Sequence, residues 1–236
     1  VEQINVEDMI KDEDMVVMIS RLGYIKRVSV EKYKKQGRGG TGSNGTNLLE
    51  DDYVNQLFIG STKEHLLFIT NIGKAYWVKI HEIPEAEQTS RGAHIKGLLQ
   101  VGPDEEITAI VSLMNFSDDL YIFMTTSNGV VKKVRSSEFA RAKTRGIIGI
   151  KLNDGDKLIS AIATKGDSDI MLISRRGKGL RFKDSSVRSM GRASCGIKGM
   201  KLAEGDEIAA AVKVENDTSM ILMTEKGYGK KISFDH

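Results

Sequence analysis

The fold is decided by the stretch Leu66-Leu67-Phe68-Ile69-Thr70-Asn71-Ile72-Gly73-Lys74-Ala75-Tyr76-Trp77-Val78-Lys79. It consists of an apolar run, a short turn that ends in glycine, and a second apolar stretch with basic residues at its ends. Two short apolar runs separated by such a turn are typical of a β-hairpin, since glycine accepts the positive φ that tight hairpin turns require. This stretch therefore predicts a β-hairpin.

The same pattern occurs five times along the chain, which makes internal repetition its dominant feature. The apolar runs are Met15–Ile19, Leu66–Ile69, Leu120–Met124, Ile170–Ile173 and Met220–Met223. They precede turn glycines Gly23, Gly73, Gly129, Gly177 and Gly227. The glycines are spaced by about 50 residues, which is the length of one propeller blade.

A second element recurs between the hairpins. Arg91-Gly92, Arg145-Gly146 and Cys195-Gly196 each open a loop that leads into an apolar strand and then an acidic turn. The expected strands around these acidic turns are Ile150–Leu152 and Leu158–Ile162 in one repeat, and Met200–Leu202 and Ile208–Val212 in another. Each repeat then supplies about four short strands. The sequence therefore predicts an all-β, propeller-like array of four-stranded blades, with residues 1–236 forming a single domain.

Composition restricts the function classes only weakly. The chain has 236 residues with 35 Lys and Arg against 32 Asp and Glu, so its formal net charge is only +3. The single cysteine, Cys195, favours a reducing cytoplasm. No apolar run approaches the ~18 residues of a membrane helix, so we expect no membrane association. The histidines lack metal-ligand spacing, and we expect no metal and no cofactor.

The positions of the charges are more informative than their sum. Residues 21–42, 128–151 and 175–201 hold 23 of the 35 basic residues and only the acids Glu31, Glu138 and Asp184. Each window covers the second strand of a hairpin and the loop that follows it. A surface that is almost free of acids suits a polyanion, whereas ordinary solvated lysines at a sheet edge are the alternative.

The strand alternation adds an expectation about exposure. The fourth residues after the turn glycines are Arg27, Trp77, Lys133, Arg181 and Lys231, and the fifth are Val28, Val78, Val134, Phe182 and Ile232. Alternate residues of a strand face opposite ways. We therefore expect the fifth residues to be buried and the fourth to be exposed in a basic belt.

The stretch Lys34-Lys35-Gln36-Gly37-Arg38-Gly39-Gly40-Thr41-Gly42 formally contains the dinucleotide-binding pattern G-x-G-x-x-G. That motif needs an apolar strand before it and a helix after it, and neither is present, so a dinucleotide-dependent enzyme is disfavoured. As a loop, the stretch offers main-chain amides and basic side chains to phosphates. A disordered linker is the alternative, and both interpretations stay open on these residues alone.

Gln36-Gly37-Arg38-Gly39-Gly40-Thr41-Gly42 resembles the gyrase box, a motif of pattern Q-[RK]-R-G-G-[RK]-G in gyrase A subunits. Gly37 and Thr41 stand where a basic residue is usual, and the other five positions match. The hairpins and the Gly-Asp turns extend the resemblance along essentially the whole chain. The chain is thus similar to the C-terminal DNA-wrapping domain of bacterial type II topoisomerase A subunits, most of all that of gyrase.

The resemblance implies a β-pinwheel, in which neighbouring repeats exchange strands and double-stranded DNA wraps around a basic perimeter. Such domains usually have six blades, so the five hairpins imply an incomplete last blade. In gyrase, the wrap presents a DNA crossover of fixed hand, so that ATP-dependent strand passage introduces negative supercoils. The resemblance places the cleavage chemistry, ATP and Mg²⁺ in other domains. The implied partners are the rest of the gyrase A subunit, together with the gyrase B subunit, in an A2B2 heterotetramer located in the nucleoid.

The expected site has two parts. The first is the DNA-wrapping box, Gln36–Gly42. The second is a set of contacts to the DNA backbone, namely Arg27, Lys34, Lys35, Arg91, Lys96, Lys132, Lys133, Arg135, Arg141, Lys143, Arg145, Arg181, Lys183, Arg188, Arg192, Lys198, Lys230 and Lys231. Two other interpretations stay open: the corresponding domain of a topoisomerase IV A subunit, and a propeller that binds protein partners through its loops.

Overall fold

The structure is a computed structural model that describes residues 9–33, 46–215 and 218–234. Strands dominate these residues, and the helices among them are 3-10 helices of three or four residues. The strands are β1 Asp14–Ser20, β2 Tyr24–Ser29, β3 Val54–Ser61, β4 His65–Thr70, β5 Lys74–Lys79, β6 Ala93–His94, β7 Ile107–Leu113, β8 Tyr121–Thr126, β9 Val130–Arg135, β10 Ile147–Ile148, β11 Leu158–Thr164, β12 Asp169–Ser174, β13 Gly179–Lys183, β14 Ile197–Lys198, β15 Ile208–Val214, β16 Ser219–Met223 and β17 Gly229–Ser233. The 3-10 helices are Val30–Lys32, Ile80–Glu82, Ile95–Gly97, Ser136–Phe139, Lys143–Arg145 and Asp184–Ser186.

All five predicted hairpins are present. They are the antiparallel pairs β1–β2, β4–β5, β8–β9, β12–β13 and β16–β17. The turn glycines have φ between 78° and 87°, so each hairpin closes through the left-handed conformation that favours glycine. The predicted all-β fold class is confirmed.

Among the described residues, three sheets have four strands, and each of them includes one short strand that comes from the following repeat. Their orders are β3-β1-β2-β6, β10-β5-β4-β7 and β11-β8-β9-β14, while β13-β12-β15 and β16-β17 form smaller sheets. The strands β6, β10 and β14 contain two residues each. They pair with β2, β5 and β9, respectively, at the end of the hairpin next to its turn, so each comes from the repeat after the hairpin that it joins. This is the strand exchange that the resemblance implied.

Two predicted strands are absent from the described residues. Residues 150–152 and 200–202 have no regular secondary structure. Ile150 and Met200 are nevertheless buried, so their apolar character reflects packing and not strand pairing. The fourth strand is instead the short strand just before each of these segments: β10 pairs with β5, and β14 pairs with β9. The strands expected after the acidic turns are confirmed as β11 and β15.

The described residues form two compact units. One extends to Phe116 and includes Phe139–Gly149, and the other contains Ser117–Glu138 and the residues from Ile150 onward. The core of the first unit includes Met15, Val17, Leu66 and Phe68. The core of the second unit contains Phe123, Ile170, Leu172, Met200 and Ile208. The interpretation of residues 1–236 as one domain stays a prediction.

Candidate nucleic-acid interface

The first three hairpins bury both faces of their second strand more than the alternation predicted. In the last two, β13 and β17 are mostly exposed, and Phe182 and Ile232 are half-buried where burial was expected. Val28, Val78 and Val134 are buried as expected. On the opposite face, however, Lys133 is only 5% exposed, and Arg27 and Trp77 are half-buried. The cause is a loop from the following repeat, which lies over this face and makes isolated parallel bridges at Arg27 and Lys133. The expected exposure of the fourth residues after the turn glycines is therefore wrong for these three.

Lys132 and Lys133 were expected to contact DNA, and the structure places both ammonium groups inside the protein. Lys133 Nζ donates to the carbonyl oxygen of Asp184 at 2.7 Å and lies 5.2 Å from the centre of the Tyr121 ring. Lys132 is fully buried, and its Nζ donates to the carbonyls of Arg192 and Ser194. Burial lowers the pKa of Lys132 to about 8. Both side chains thus lack the exposure that a phosphate contact requires, and DNA contact by Lys132 and Lys133 stays a prediction that this burial does not favour.

Arg27 is held in a similar way at the corresponding place in the first repeat. Its Nε donates to the carbonyl of Ile83 at 2.7 Å, and its guanidinium lies 3.6 Å from the carboxylate of Glu85. The side chain is 16% exposed. Its charge is thus partly neutralised, and Arg27 offers DNA much less than an exposed arginine would.

The segment Phe139–Gly149 presents the densest group of exposed basic residues in the first unit. Arg141, Lys143 and Arg145 are all exposed, and a 3-10 helix spans Lys143–Arg145. Lys143 has φ of 41°, an uncommon left-handed conformation for a residue other than glycine. The indole of Trp77 donates to the carbonyl of Ala140 at 3.2 Å, and the amide of Gln100 donates to the carbonyl of Thr144 at 2.9 Å. These bonds fix the backbone that carries the three side chains.

Gly196 and Gly92 each let a loop lie close to the hairpin of the repeat before it. Gly196 has φ of 89°, and a Cβ placed on it would lie 2.6 Å from the carbonyl oxygen of Val131. Gly92 meets Ile25 in the first repeat in the same manner. These are the glycines of the recurring pairs Arg91-Gly92 and Cys195-Gly196. Their function in the structure is to seat the loop directly on the hairpin.

The corresponding loop of the second unit carries Arg188, Arg192 and Lys198. Arg188 and Lys198 are exposed. Arg192 is half-buried, its Nε lies 3.9 Å from the carboxylate of Glu138, and its main-chain amide donates to the same carboxylate. Arg188 and Lys198 therefore present their charge to solvent, whereas that of Arg192 is partly balanced.

Arg181 and Lys183 share one acid. Arg181 Nη2 lies 2.9 Å and Lys183 Nζ lies 3.4 Å from the same carboxylate oxygen of Asp169. The hydrogen bond from Arg181 lowers the pKa of Asp169. Both basic residues are exposed, so two positive charges face one negative charge on a solvated surface. The pair keeps a net positive charge at this point of β13.

The remaining predicted contacts divide into two groups. Arg91, Lys96, Arg135, Lys230 and Lys231 are exposed, and the guanidinium of Arg91 lies 5.3 Å from the centre of the Tyr24 ring. Lys34, Lys35 and the box Gln36–Gly42 lie outside the described residues. DNA contact by the exposed residues and by the box stays a prediction.

Sequence reasoning did not identify Lys26, which is fully buried at the position that corresponds to Lys132. Its Nζ donates to the carbonyls of Gln88 and Ser90 at 2.6 and 2.7 Å. The available signal was the offset, since Lys26 and Lys132 are both the third residue after a turn glycine. Among the described residues, no group of three or more His, Cys, Asp or Glu is placed to hold a metal ion. No helix in the described ranges is long and apolar enough to cross a membrane.

The chain is similar to known proteins over most of its length. The family model described as "DNA gyrase C-terminal domain, beta-propeller" matches residues 14–61, 64–114, 120–165, 168–215 and 218–236. The DNA gyrase A subunit of Treponema pallidum is 52% identical over 194 residues, which are 82% of this chain and 24% of the relative. That of Escherichia coli is 43% identical over 188 residues, which are 80% of this chain and 22% of the relative. The chain thus spans about a quarter of the length of these curated relatives.

Two solved structures support the same assignment. The C-terminal domain of DNA topoisomerase IV aligns with a TM-score of 0.78 at 28% identity, covering 96% of this chain and 69% of that one. The DNA gyrase A C-terminal domain aligns with a TM-score of 0.75 at 33% identity, covering 93% of this chain and 71% of that one. Since the family model matches each of the five hairpin repeats, the chain belongs to the family of DNA gyrase C-terminal, β-propeller domains.

Proposed function

We propose that this chain binds duplex DNA through its phosphates, without sequence preference, and bends the duplex along its basic surface. The observation that carries the proposal is the segment Arg141–Arg145. Its three basic side chains are exposed within five residues, with no acid between them, on a backbone fixed by Trp77 and Gln100. A fixed, acid-free cluster is suited to the regularly spaced charges of a DNA backbone.

The chemistry of such a surface is electrostatic and not catalytic. Arginine and lysine side chains that face phosphates fix the position of the duplex and release its counterions, but they do not read the base edges. The exposed residues of both units are of this kind, including Arg91, Lys96, Arg135, Arg188 and Lys198. The domain alone therefore carries no reaction, and it requires no cofactor for binding.

Bending follows if several of these groups contact one duplex at once. Bending a segment of 20–30 bp by 40–90° costs about 1–6 kcal/mol. Hydrogen bonds to charged groups contribute about 1.5–3 kcal/mol each, so a few additional phosphate contacts offset that cost. The box Gln36–Gly42 would hold the duplex at one end of the bent path and complete the wrap.

In the parent protein, the wrap would present a DNA crossing of one hand to the cleavage gate. Strand passage driven by ATP would then introduce negative supercoils, with the chemistry supplied by other domains of a type II topoisomerase. The partners would be the remainder of the gyrase A subunit, together with the gyrase B subunit, in an A2B2 assembly associated with the nucleoid. The identities of 52% and 43% to gyrase A subunits support this assignment.

A topoisomerase IV A subunit is the second candidate, favoured by the TM-score of 0.78 to such a domain. The two candidates differ in the reaction of the assembled enzyme. The resemblance to gyrase implies that a gyrase parent introduces negative supercoils into relaxed DNA, and failure to do so would favour the second candidate. A supercoiling assay on the assembled parent enzyme therefore separates them.

Binding and bending are tested on the chain itself with duplexes that carry a fluorophore at each end. We expect energy transfer between the ends to rise when protein is added, and to rise equally for unrelated sequences of one length. Affinity should fall steeply with salt, with a log–log slope of about −0.9 for each phosphate contact. A flat salt response, or end-to-end distances equal to those of free DNA, would contradict the proposal and favour a protein-binding propeller.

A further inference from the structure

Two repeats place a buried lysine at the same point of the hairpin. Lys26 in β2 and Lys132 in β9 are both the third residue after the turn glycine, and they are 1% and 0% exposed. Fully buried lysines are rare unless their charge is paired. Two such residues at equivalent positions indicate a device that the repeats share.

The partners of both ammonium groups are main-chain carbonyls of the loop that follows the next hairpin. Lys26 Nζ donates to Gln88 and Ser90, and Lys132 Nζ donates to Ser194 at 2.8 Å and to Arg192. Hydrogen bonds from a charged donor are stronger than neutral ones. Each ammonium therefore binds several points of a loop that has no regular secondary structure at these residues.

The hairpin itself does not need a lysine at this position. The corresponding residues of the second and fourth hairpins are Tyr76 and Leu180, and both hairpins form the same antiparallel pairing. Burial of an ammonium among carbonyls is also costly, and it lowers the pKa of Lys26 and of Lys132. The benefit of the lysine thus lies in the loop that it holds and not in the strand that carries it.

Both loops carry basic residues that face solvent. The loop held by Lys26 leads into the exposed Arg91. The loop held by Lys132 contains the exposed Arg188 and the half-buried Arg192, and it leads into the exposed Lys198. The second loop is also seated on the hairpin through Gly196, which lies directly against Val131. Two attachments, one at the ammonium and one at the glycine, leave the intervening residues little freedom.

We propose that Lys26 and Lys132 are positioning residues for DNA binding, each fixing the loop of the following repeat so that its basic side chains meet the phosphates together. The proposal rests on the proposed function for its consequence in DNA binding. Its structural part, that each ammonium orders the loop, is independent of DNA. A buried lysine would thus order the exposed basic residues that bind DNA.

The first measurement concerns loop order without DNA. Lys132→Met keeps the length of the side chain and removes its charge, and Lys157→Met removes one charge from an exposed lysine outside the expected contacts. We expect Lys132→Met to speed hydrogen exchange at the amides of Met190 and Ser194 by at least roughly tenfold, because these amides bond to Lys133 and within the loop. Exchange in β8 should be unchanged, and Lys157→Met should change neither region.

The second measurement concerns DNA. Arg188→Gln with Arg192→Gln should reduce the log–log salt slope of duplex binding by about 0.9 for each phosphate that the variant no longer binds. Lys132→Met alone should reduce the slope nearly as much, although Lys132 is too deeply buried to touch a phosphate. Adding Lys132→Met to the double arginine variant should then have little further effect, because the lysine acts through those arginines.

The outcomes separate the inference from the proposed function. If Lys132→Met leaves the exchange of loop amides unchanged, or if its DNA effect adds fully to that of the arginine variants, the positioning role is wrong. If the exchange changes but wild-type protein shows no salt-dependent DNA binding, the proposed function fails and the ordering role stands. Should Lys132→Met not fold, Lys26→Met in the other unit gives the same test, read at the amide of Ser90 and against Arg91→Gln.

Discussion

Gly196 lies so close to Val131 that a Cβ on the glycine would stand 2.6 Å from the valine carbonyl oxygen. Real Cβ atoms do not approach carbonyl oxygens to this distance, so any larger residue must displace the loop. The same glycine precedes β14, which pairs with β9 through Ile197 and Val131. The basic loop and the strand exchange of the second unit therefore depend on one contact.

Gly196→Ala is expected to detach β14 and the loop before it. Its φ of 89° adds backbone strain of about 1–3 kcal/mol, and the displaced loop adds to that. Gly155→Ala is the matched control, because Gly155 has φ of 74° and nothing lies within 4 Å of the position that its Cβ would occupy. Chemical denaturation should show a larger loss of unfolding free energy for Gly196→Ala. Equal losses would mean that φ alone matters and that the close approach is unimportant.

Removal of the cluster Arg141, Lys143 and Arg145 should weaken DNA binding without affecting the fold. With all three replaced by glutamine, the log–log salt slope should fall by about 0.9 for each phosphate that is no longer neutralised. The exposed residues Lys11, Lys63 and Lys165 provide a control with the same loss of charge outside the expected contacts. If both triple variants lose affinity equally, net charge governs binding and the cluster has no special role.

The pH dependence of stability should carry a signature of Lys132. Its pKa is lowered from 10.5 to about 8 by burial, so between these values the unfolded chain holds a proton that the folded chain does not. The unfolding free energy of wild type, measured relative to Lys132→Met, should therefore rise from pH 8 to 10.5. The slope should reach up to about 1.4 kcal/mol per pH unit and vanish below about pH 8. Urea denaturation at several pH values provides the measurement, and a constant difference would contradict the shift.

The box Gln36–Gly42 is expected to control wrapping and not initial binding. Replacing its seven residues with alanine should leave short-duplex affinity nearly intact, because the exposed arginines and lysines remain. Bending of long DNA and supercoiling by the reassembled parent enzyme should be lost, whereas relaxation and cleavage should survive. Gly37→Lys with Thr41→Lys restores the usual basic positions of the motif and should preserve or strengthen wrapping. Undiminished supercoiling by the alanine variant would leave the segment a linker.

Local patterns were enough to predict the hairpins. The turn glycines and the apolar runs on either side of them act within a few residues, and all five hairpins formed where these signals lay. The burial of Val28, Val78 and Val134 followed from alternation, which is also local. The all-β class then followed from the repetition of one local unit.

Contacts distant in sequence caused the errors. Lys133 donates to Asp184, 51 residues away, and no signal near Lys133 reveals that a loop will cover it. The strands β10 and β14 have two residues each, which is too short for alternation to reveal them. The neighbouring apolar residues Ile150 and Met200 resemble strand residues in sequence, but they are buried core residues in irregular backbone. Exposed basic residues thus occur within the expected windows, but Lys132 and Lys133 are buried where the alternation predicted exposure.

The loan of β6 to the sheet β3-β1-β2 has a consequence for how such a chain can be cut and lengthened. A cut between the first two hairpins severs a donor from its acceptor, although both hairpins stay whole in sequence. If a duplication copies one hairpin but not the short strand that follows the next hairpin, the second strand of the copied hairpin is left as an unpaired sheet edge. A transferable unit must therefore contain a hairpin together with the short strand of the following repeat that pairs with it. The suitable cut points lie after each such short strand and not between hairpins.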